Sequence, residues 1–215
     1  MIDVRMFTVG PVQENCFVVR EPGSDRGVIV DPGDEADRLL EAVQTLGIQV
    51  EAILVTHTHF DHIGAVAPVA QATGAPVWCP EIERQVLANI MDYVPWPGFG
   101  PFESYQADHT VTGGETLELA GMKIEVLSTP GHSPGHVTYA IENDAALFSG
   151  DVLFQGSVGR VDLPGGDWPT LLASIETLVE RFSPDTTVYP GHMGITTLGQ
   201  EQATNPFLAE LAQNR

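Results

Sequence analysis

The sequence predicts an α/β fold, and three features carry that expectation. Short apolar runs bounded by Gly, Pro, Asn and Asp recur over residues 2–30 and again over 115–149, as strands do. Apolar residues at helical spacing close each half, at 35–46 and 63–70 in the first and at 168–182 in the second. The residues suited to metal chemistry fall where strands stop, at His57, His132, Asp151 and His192. No repeat with a period of 20–50 residues and no low-complexity tract breaks the pattern. At 215 residues the chain is read as one domain, residues 1–215, long enough to bury a core.

Ile2 to Val9 and Asn15 to Arg20 read as strands around the turn at Gly10-Pro11. Pro22 to Asp25 turn the chain into a third strand, Val28-Ile29-Val30, which ends at Asp31-Pro32-Gly33. Leu39, Leu40, Val43 and Leu46 give one apolar face to a helix from Glu35, closed by Gly47. Ala52 to Val55 arrive as a buried strand and stop at Thr56. Past a polar loop, Ile63, Val66, Val69 and Ala70 return to helical spacing. Gly74-Ala75-Pro76 leads into the short strand Val77-Trp78-Cys79. Pro80 then opens a helix through Ala88, with Glu81 and Glu83 favourably placed in its first turn. Residues 91–107 form a loop whose aromatics (Tyr93, Trp96, Phe99, Phe102 and Tyr105) either wall a pocket or cover the core.

Residues 115–119 and 122–128 make a hairpin around Ala120-Gly121. It delivers Thr129-Pro130-Gly131-His132, whose Pro and Gly fix the bend that aims His132. His136 opens the strand Val137 to Ile141 and is placed to brace the ligand loop by a hydrogen bond. After a turn at Asn143-Asp144, the run Ala146-Leu147-Phe148 projects Asp151 from its end. Leu171, Leu172, Ile175 and Leu178 line one face of the helix from Trp168 to Phe182. Thr187-Val188-Tyr189 is the last strand, ending at Pro190-Gly191-His192. The tail from Leu198 to Asn214 reads as one helix packed on the body, and His109 as a surface residue.

The loop after Val55 is the richest in chemistry. Three of the chain's seven histidines fall within six residues, as His57-x-His59-x-Asp61-His62. His57 and His59 are two apart and can close on one ion from an extended segment, whereas Asp61 and His62 lie past a bend. That geometry suits two adjacent ions. Imidazole and carboxylate donors without Cys fit zinc, iron or manganese with open coordination positions, the catalytic type of site.

Composition excludes several functions. Twenty-nine Asp and Glu stand against nine Lys and Arg, only one of them a lysine, Lys123. A net charge of −20 repels polynucleotides and anionic membranes, and it suits either a protein kept soluble in high salt or an ordinary acidic bacterial protein, the former being favoured. No apolar run reaches the ~18 residues of a membrane span, and Met1 to Arg5 do not open a signal peptide. Two cysteines, Cys16 and Cys79, make no disulfide framework. The expectation is a cytoplasmic protein.

His57-x-His59-x-Asp61-His62 resembles the signature of the metallo-β-lactamase-fold hydrolases, and His132, Asp151 and His192 extend the resemblance over nearly the whole chain. It implies a four-layer αβ/βα sandwich and two divalent ions, zinc foremost, with iron or manganese as alternatives. His57, His59 and His132 would hold the first ion and Asp61, His62 and His192 the second, with Asp151 between them. Asp61 and Asp151 would orient a metal-bridging hydroxide. Asp31-Pro32-Gly33 recurs in the fold, which makes Asp31 a carboxylate behind the ligands. The β-lactamases proper lack an Asp at the bridging position. Within the family the chain is similar to the glyoxalase II (hydroxyacylglutathione hydrolase) group in its short form, through Gly150-Asp151-Val152-Leu153-Phe154, Gly159-Arg160 and Asn205-Pro206-Phe207-Leu208. The likeness implies a small-molecule thioester substrate of the S-lactoylglutathione type, with Arg160 binding the thiol portion. Asp162 stands where the longer enzymes carry a tyrosine, and their C-terminal helical domain is not expected here. Persulfide dioxygenases of the same fold, with a single non-haem iron, resemble Gly159-Arg160-Val161-Asp162 and give the alternative. A non-enzymatic metal-binding protein is the third reading.

Overall fold

In a computed structural model of the protein, residues 2–141, 143 and 145–208 are described, and each half of the chain builds one six-stranded sheet. The first half runs β1 (Asp3–Val9), β2 (Glu14–Arg20), β3 (Arg26–Val30), α1 (Ala36–Leu46), β4 (Gln49–Leu54), α2 (Phe60–Ile63), α3 (Val66–Thr73), β5 (Val77–Pro80), α4 (Arg84–Leu87) and β6 (His109–Val111). Its strands lie in sequence order, antiparallel from β1 to β3 and parallel from β3 to β6. The second half runs β7 (Thr116–Leu119), β8 (Met122–Ser128), β9 (Val137–Ile141), β10 (Ala146–Gly150), β11 (Leu153–Phe154), β12 (Ser157–Val158), α5 (Trp168–Arg181), β13 (Thr187–Pro190), β14 (Thr196–Thr197) and α6 (Leu198–Thr204). Its sheet has the order β14-β13-β10-β9-β8-β7, and β11 and β12 form a small separate hairpin.

Alternation along the strands dictates the layering. On β2, Cys16 and Val18 face one core and Phe17 and Val19 another. A strand buried on both faces needs apolar residues at every position, and Cys-Phe-Val-Val supplies them. The inner core joins Phe17, Val28 and Leu54 of the first sheet to Val126, Tyr139 and Phe148 of the second. Outside the first sheet, Leu39 and Val43 of α1 and Val66 and Val69 of α3 cover Val18, Ile29 and Ile53. Outside the second, Leu171, Ile175 and Leu178 of α5 cover Ala140, Leu147 and Val188. The result is the four-layer αβ/βα sandwich. Both free cysteines are buried in the outer core of the first sheet, on β2 and β5, with β3 and β4 between them.

The β7–β8 hairpin turns at Ala120 (φ 51°) and Gly121 (φ 82°), the paired left-handed residues that a two-residue hairpin requires. Helix α5 starts where Asp167 accepts from the Thr170 amide at 3.0 Å. One expectation needs correcting. The helix from Pro80 to Ala88 is a 3-10 turn at Glu81–Glu83 followed by the short α4. Its interruption coincides with Glu83 turning its side chain inward, where it is 5% exposed, instead of serving the helix N-terminus. His109 is an exposed strand residue whose ring stacks on Trp78 at 4.2 Å. Of the tail helix expected to Asn214, α6 and a 3-10 turn at Pro206–Leu208 are seen, and 209–215 lie outside the described residues, as does Asp144 of the expected turn. No helix of the described residues is long and apolar enough to cross a membrane.

Candidate metal centre

The carboxyl ends of β4, β8, β10 and β13 open on one edge of the sandwich, and the segments that follow them carry all seven candidate ligands, five on loops and Asp61 and His62 on α2. Ligands outside the carboxyl ends of strands are the usual arrangement in α/β sheets. Gly131 (φ 128°) sets the bend before His132, and a Cβ there would strike the backbone of Leu171. Gly191 passes so close to Asp151 and His62 that a side chain would enter the site itself.

His57 Nε2, His59 Nδ1 and His132 Nε2 converge, at 3.2 Å between His57 and each of the others and 2.8 Å between His132 and His59. The second nitrogens decide what those three atoms offer. His132 Nδ1 lies 2.7 Å from the Arg160 carbonyl oxygen, so it carries the proton and leaves Nε2 a lone pair. His57 Nδ1 lies 3.1 Å from the Thr56 hydroxyl, which itself donates to Asp31 at 2.6 Å, so Nε2 of His57 is again bare. Burial and the neighbouring imidazoles push the pKa of His57 well below its usual value. Burial and His132 bring His59 down to about 4. Three imidazole nitrogens converging on one point, with those of His57 and His132 left without a proton by the partners of their second nitrogens, are the donor set of a cation.

The second group is Asp61, His62 and His192. His62 Nδ1 donates to Asp31 Oδ2 at 3.0 Å, and His192 Nδ1 to the Gln13 carbonyl oxygen at 3.2 Å, so both present Nε2. His192 Nε2 lies 3.3 Å from Asp61 Oδ2. Asp151 reaches both groups: Oδ1 is 3.2 Å from His62 Nε2, and Oδ2 is 3.4 Å from His132 Nε2 and 3.6 Å from His192 Nε2. His62 Nε2 and Asp151 Oδ1 are buried, and at 3.2 Å they face each other without the alignment of a good hydrogen bond, so each has only the other's charge as partner. Burial works against both charges. Even so, His62 and His192 hold the Asp151 carboxyl far below its usual range, and Asp151, Asp31 and Asp61 hold His62 well above its own. A divalent ion would take the place of the His62 proton. The residues therefore fit a two-metal site.

The supporting shell contains residues that the motif did not reveal. Asp31 accepts from the Thr56 amide at 2.7 Å and orients His62, as its strand-end position predicts. His136 accepts from the Asp151 amide at 3.0 Å and lies 3.1 Å from the Thr129 hydroxyl, the bracing contact expected of it. Glu83 accepts from the Thr58 amide (2.7 Å) and hydroxyl (2.9 Å), from the Gly135 amide (2.8 Å) and from the Ser133 hydroxyl, clamping two ligand loops together. Asn15 Nδ2 donates to the carbonyls of Pro190 (3.0 Å) and Met193 (2.9 Å) and fixes the His192 loop. Glu14 is fully buried, its Oε1 3.8 Å from His62 Nδ1, and burial pushes its pKa well up. Two adjacent polar residues at the head of an otherwise apolar strand were the available signal for Glu14 and Asn15.

A family profile described as the metallo-beta-lactamase superfamily matches residues 9–192. The chain belongs to the metallo-beta-lactamase superfamily. The hydroxyacylglutathione hydrolase GloC of Haemophilus influenzae is 34% identical over 96% of this chain and 98% of its own. A crystal structure described as the BLEG-1 B3 metallo-beta-lactamase superposes with a TM-score of 0.90 at 40% identity, covering 96% of this chain and 99% of that one. TTHA1623, solved in a di-iron-bound form, gives a TM-score of 0.76 at 42% identity over 95% of this chain and 100% of that one. This superfamily member is accordingly a metallo-hydrolase.

Beside the donor atoms lies a cavity of about 350 Å³, lined by His59, Asp61, His132 and Asp151 on the site's side. The aromatic loop divides. Tyr93 and Trp96 line this cavity, while Phe99, Phe102 and Tyr105 pack on the first core, Phe99 against Phe60 at 4.9 Å. Arg160 sits on the rim with both Nε and Nη2 on the Asp162 carboxylate, at 2.6 and 2.7 Å, and 5.8 Å from the Trp96 ring.

Proposed function

We propose that the chain hydrolyses thioesters of the S-lactoylglutathione type, with two divalent ions, zinc foremost, held by His57, His59, His132, Asp61, His62, His192 and the shared Asp151. The single observation behind this reading is that Asp151 lies between two complete donor groups at the floor of an accessible cavity. Bound ions would polarise a carbonyl oxygen and lower the pKa of water toward neutrality. The protein's own part is positional. Asp61, 15% exposed at its side chain, faces the cavity and can hold a water by its Oδ2. Asp31 and the carbonyls of Gln13 and Arg160 fix the tautomers of His62, His192 and His132, so that these three keep Nε2 turned into the site. A thiol of pKa ~8.5 leaves as thiolate, so no acid is needed on that side. A small uncharged or weakly charged substrate in the cytoplasm suits the −20 surface, which gives nucleic acid no purchase.

The likeness to GloC supports thioesters, and the likeness to a B3 lactamase supports a β-lactam amide as the second reading. A single-iron persulfide dioxygenase needs only one donor group, and here two that share no residue, His57-His59-His132 and Asp61-His62-His192, stand side by side, with a third that joins Asp31 to His57 and His62. The test is elemental analysis of the purified protein together with assays on S-lactoylglutathione, glutathione persulfide and a chromogenic cephalosporin. Two metals per chain with thioester turnover alone supports the proposal. One iron with oxygen consumption, or lactam turnover that exceeds thioester turnover, removes it.

Arg160 faces the thiol portion in this reading, but Asp162 already occupies its fork. A substrate carboxylate gains only by displacing Asp162. Asp162→Ala is expected to lower KM for S-lactoylglutathione by about ten-fold, from one charge-assisted contact of ~1.5 kcal/mol. Adding Arg160→Ala should cancel the gain. Steady-state kinetics on the single and double variants check it, and a KM that Asp162→Ala leaves unmoved assigns the pair to bracing the loop.

A further inference from the structure

We propose that the cavity selects thioesters carrying an uncharged, apolar group beside the scissile carbonyl, of the size of a six-carbon chain or an aryl ring; this rests on the thioester reading above. The wall opposite the donor atoms is built from Ile82, Val86, Tyr93, Trp96, Leu163 and Pro164. Ile82, Tyr93 and Trp96 are 71%, 52% and 40% exposed, so the protein leaves three large apolar side chains in water around one opening. Single exposed apolar residues are ordinary, but a group of them rimming a cavity next to reactive donors marks a binding surface. A volume of about 350 Å³ falls in the ~300–1,000 Å³ range of small-ligand pockets and exceeds what a lactoyl group fills.

Charge on the lining points the same way. Arg160 is its one cation among the described residues, and that guanidinium is held bidentately by Asp162. Glu83 also lines the cavity, with its oxygens turned to Thr58, Ser133 and Gly135. Apart from the ions themselves, where the scissile carbonyl has to sit, a carboxylate-bearing substrate therefore meets no unpaired side-chain cation of the lining, and it approaches a strongly anionic protein. An apolar group meets no opposing charge, and it takes Ile82, Tyr93 and Trp96 out of water. The selection is made by apolar surface and not by the recognition of charge.

The metal-loaded protein should be assayed on S-lactoylglutathione, S-hexanoylglutathione and S-hexanoyl-N-acetylcysteamine, whose thiol portion is neutral. The kcat/KM for hexanoyl is expected to exceed that for lactoyl by about ten-fold or more, from the added methylenes buried. It should persist on the neutral thiol if the acyl group fills the cavity. Trp96→Ala should reduce the hexanoyl-to-lactoyl ratio about ten-fold. Binding of the non-hydrolysable thioether S-hexyl-N-acetylcysteamine, followed by calorimetry with and without metal, gives a readout independent of turnover and should weaken in Trp96→Ala by a similar factor. If no thioester is cleaved but the thioether binds through Trp96, the thioester reading falls and the apolar cavity stands. Lactoyl turnover equal to hexanoyl turnover, or thioether binding indifferent to Trp96, overturns the inference. So does a wild-type dimer that Trp96→Ala converts to monomer with no thioether bound, which would make the wall a subunit contact.

Discussion

Asp151→Ala is expected to empty both halves of the metal centre and to lower kcat/KM by about a thousand-fold or more. Its two oxygens lie 3.2 Å from His62 in one donor group and 3.4 Å from His132 in the other, so one truncation removes a ligand from each. The electrostatic loss adds to the geometric one. Asp151 is 6% exposed, and its burial is outweighed by His62 and His192, which hold it charged. Without it, an ion at the first group would face imidazoles alone, and one at the second would keep Asp61 as its one carboxylate. Lewis-acid stabilisation worth several kcal/mol, at 1.4 kcal/mol per decade, sets the scale of the fall. Metal content by elemental analysis, measured beside activity, separates loss of ions from loss of fold. A variant that keeps two ions per chain and most of its activity would show that Asp151 is not shared.

Glu83→Ala should give the largest stability effect of any residue that does not itself face an ion. Its carboxylate collects four donors from two loops: Thr58, between His57 and His59, and Ser133 and Gly135, which follow His132. Truncation leaves these donors in a buried place with no acceptor, at ~1–3 kcal/mol for each that water does not reach. A total of ~3–5 kcal/mol corresponds to a Tm lower by about 10 °C in a domain of this size. Affinity at the His57, His59 and His132 group should fall ~10- to 100-fold, as for other groups that orient ligands. Glu83→Gln keeps one acceptor and should lie between. Calorimetric unfolding of the metal-free variants, with metal titration at the first group, reads both effects. An unchanged Tm with unchanged affinity would leave Glu83 a spectator.

The layers and the cluster of candidate donors from His57 to His62 were legible because both are periodic or local, whereas His132, Asp151 and His192, scattered along the chain, were drawn to the same site only by the family resemblance. Cys-Phe-Val-Val in β2 and Leu39, Val43 in α1 announce their faces by spacing alone, and His57 to His62 are grouped in six residues. Glu83 was legible only as a favourable charge at a helix start, because its real partners lie 25, 50 and 52 residues away and no local pattern encodes them. Asn15, which holds a loop 175 residues away, showed only as a polar residue at the head of an apolar strand, with nothing local to name its partner. The aromatic loop was ambiguous because burial of an aromatic depends on which way an irregular backbone turns. Phe99 and Phe102 turned toward Phe60, while Tyr93 and Trp96 turned toward the opening.

Cys16 and Cys79 have a bearing on redox behaviour. Two intervening strands at ~4.8 Å spacing put β2 and β5 about 14 Å apart, far beyond disulfide reach. Burial drives both thiols well above their ordinary pKa, so almost no thiolate exists at neutral pH. These are the only cysteines of the chain. A catalyst that releases a free thiol at every turnover would thus offer nothing for thiol–disulfide exchange, and its own product could not cap it as a mixed disulfide when the surroundings turn oxidising.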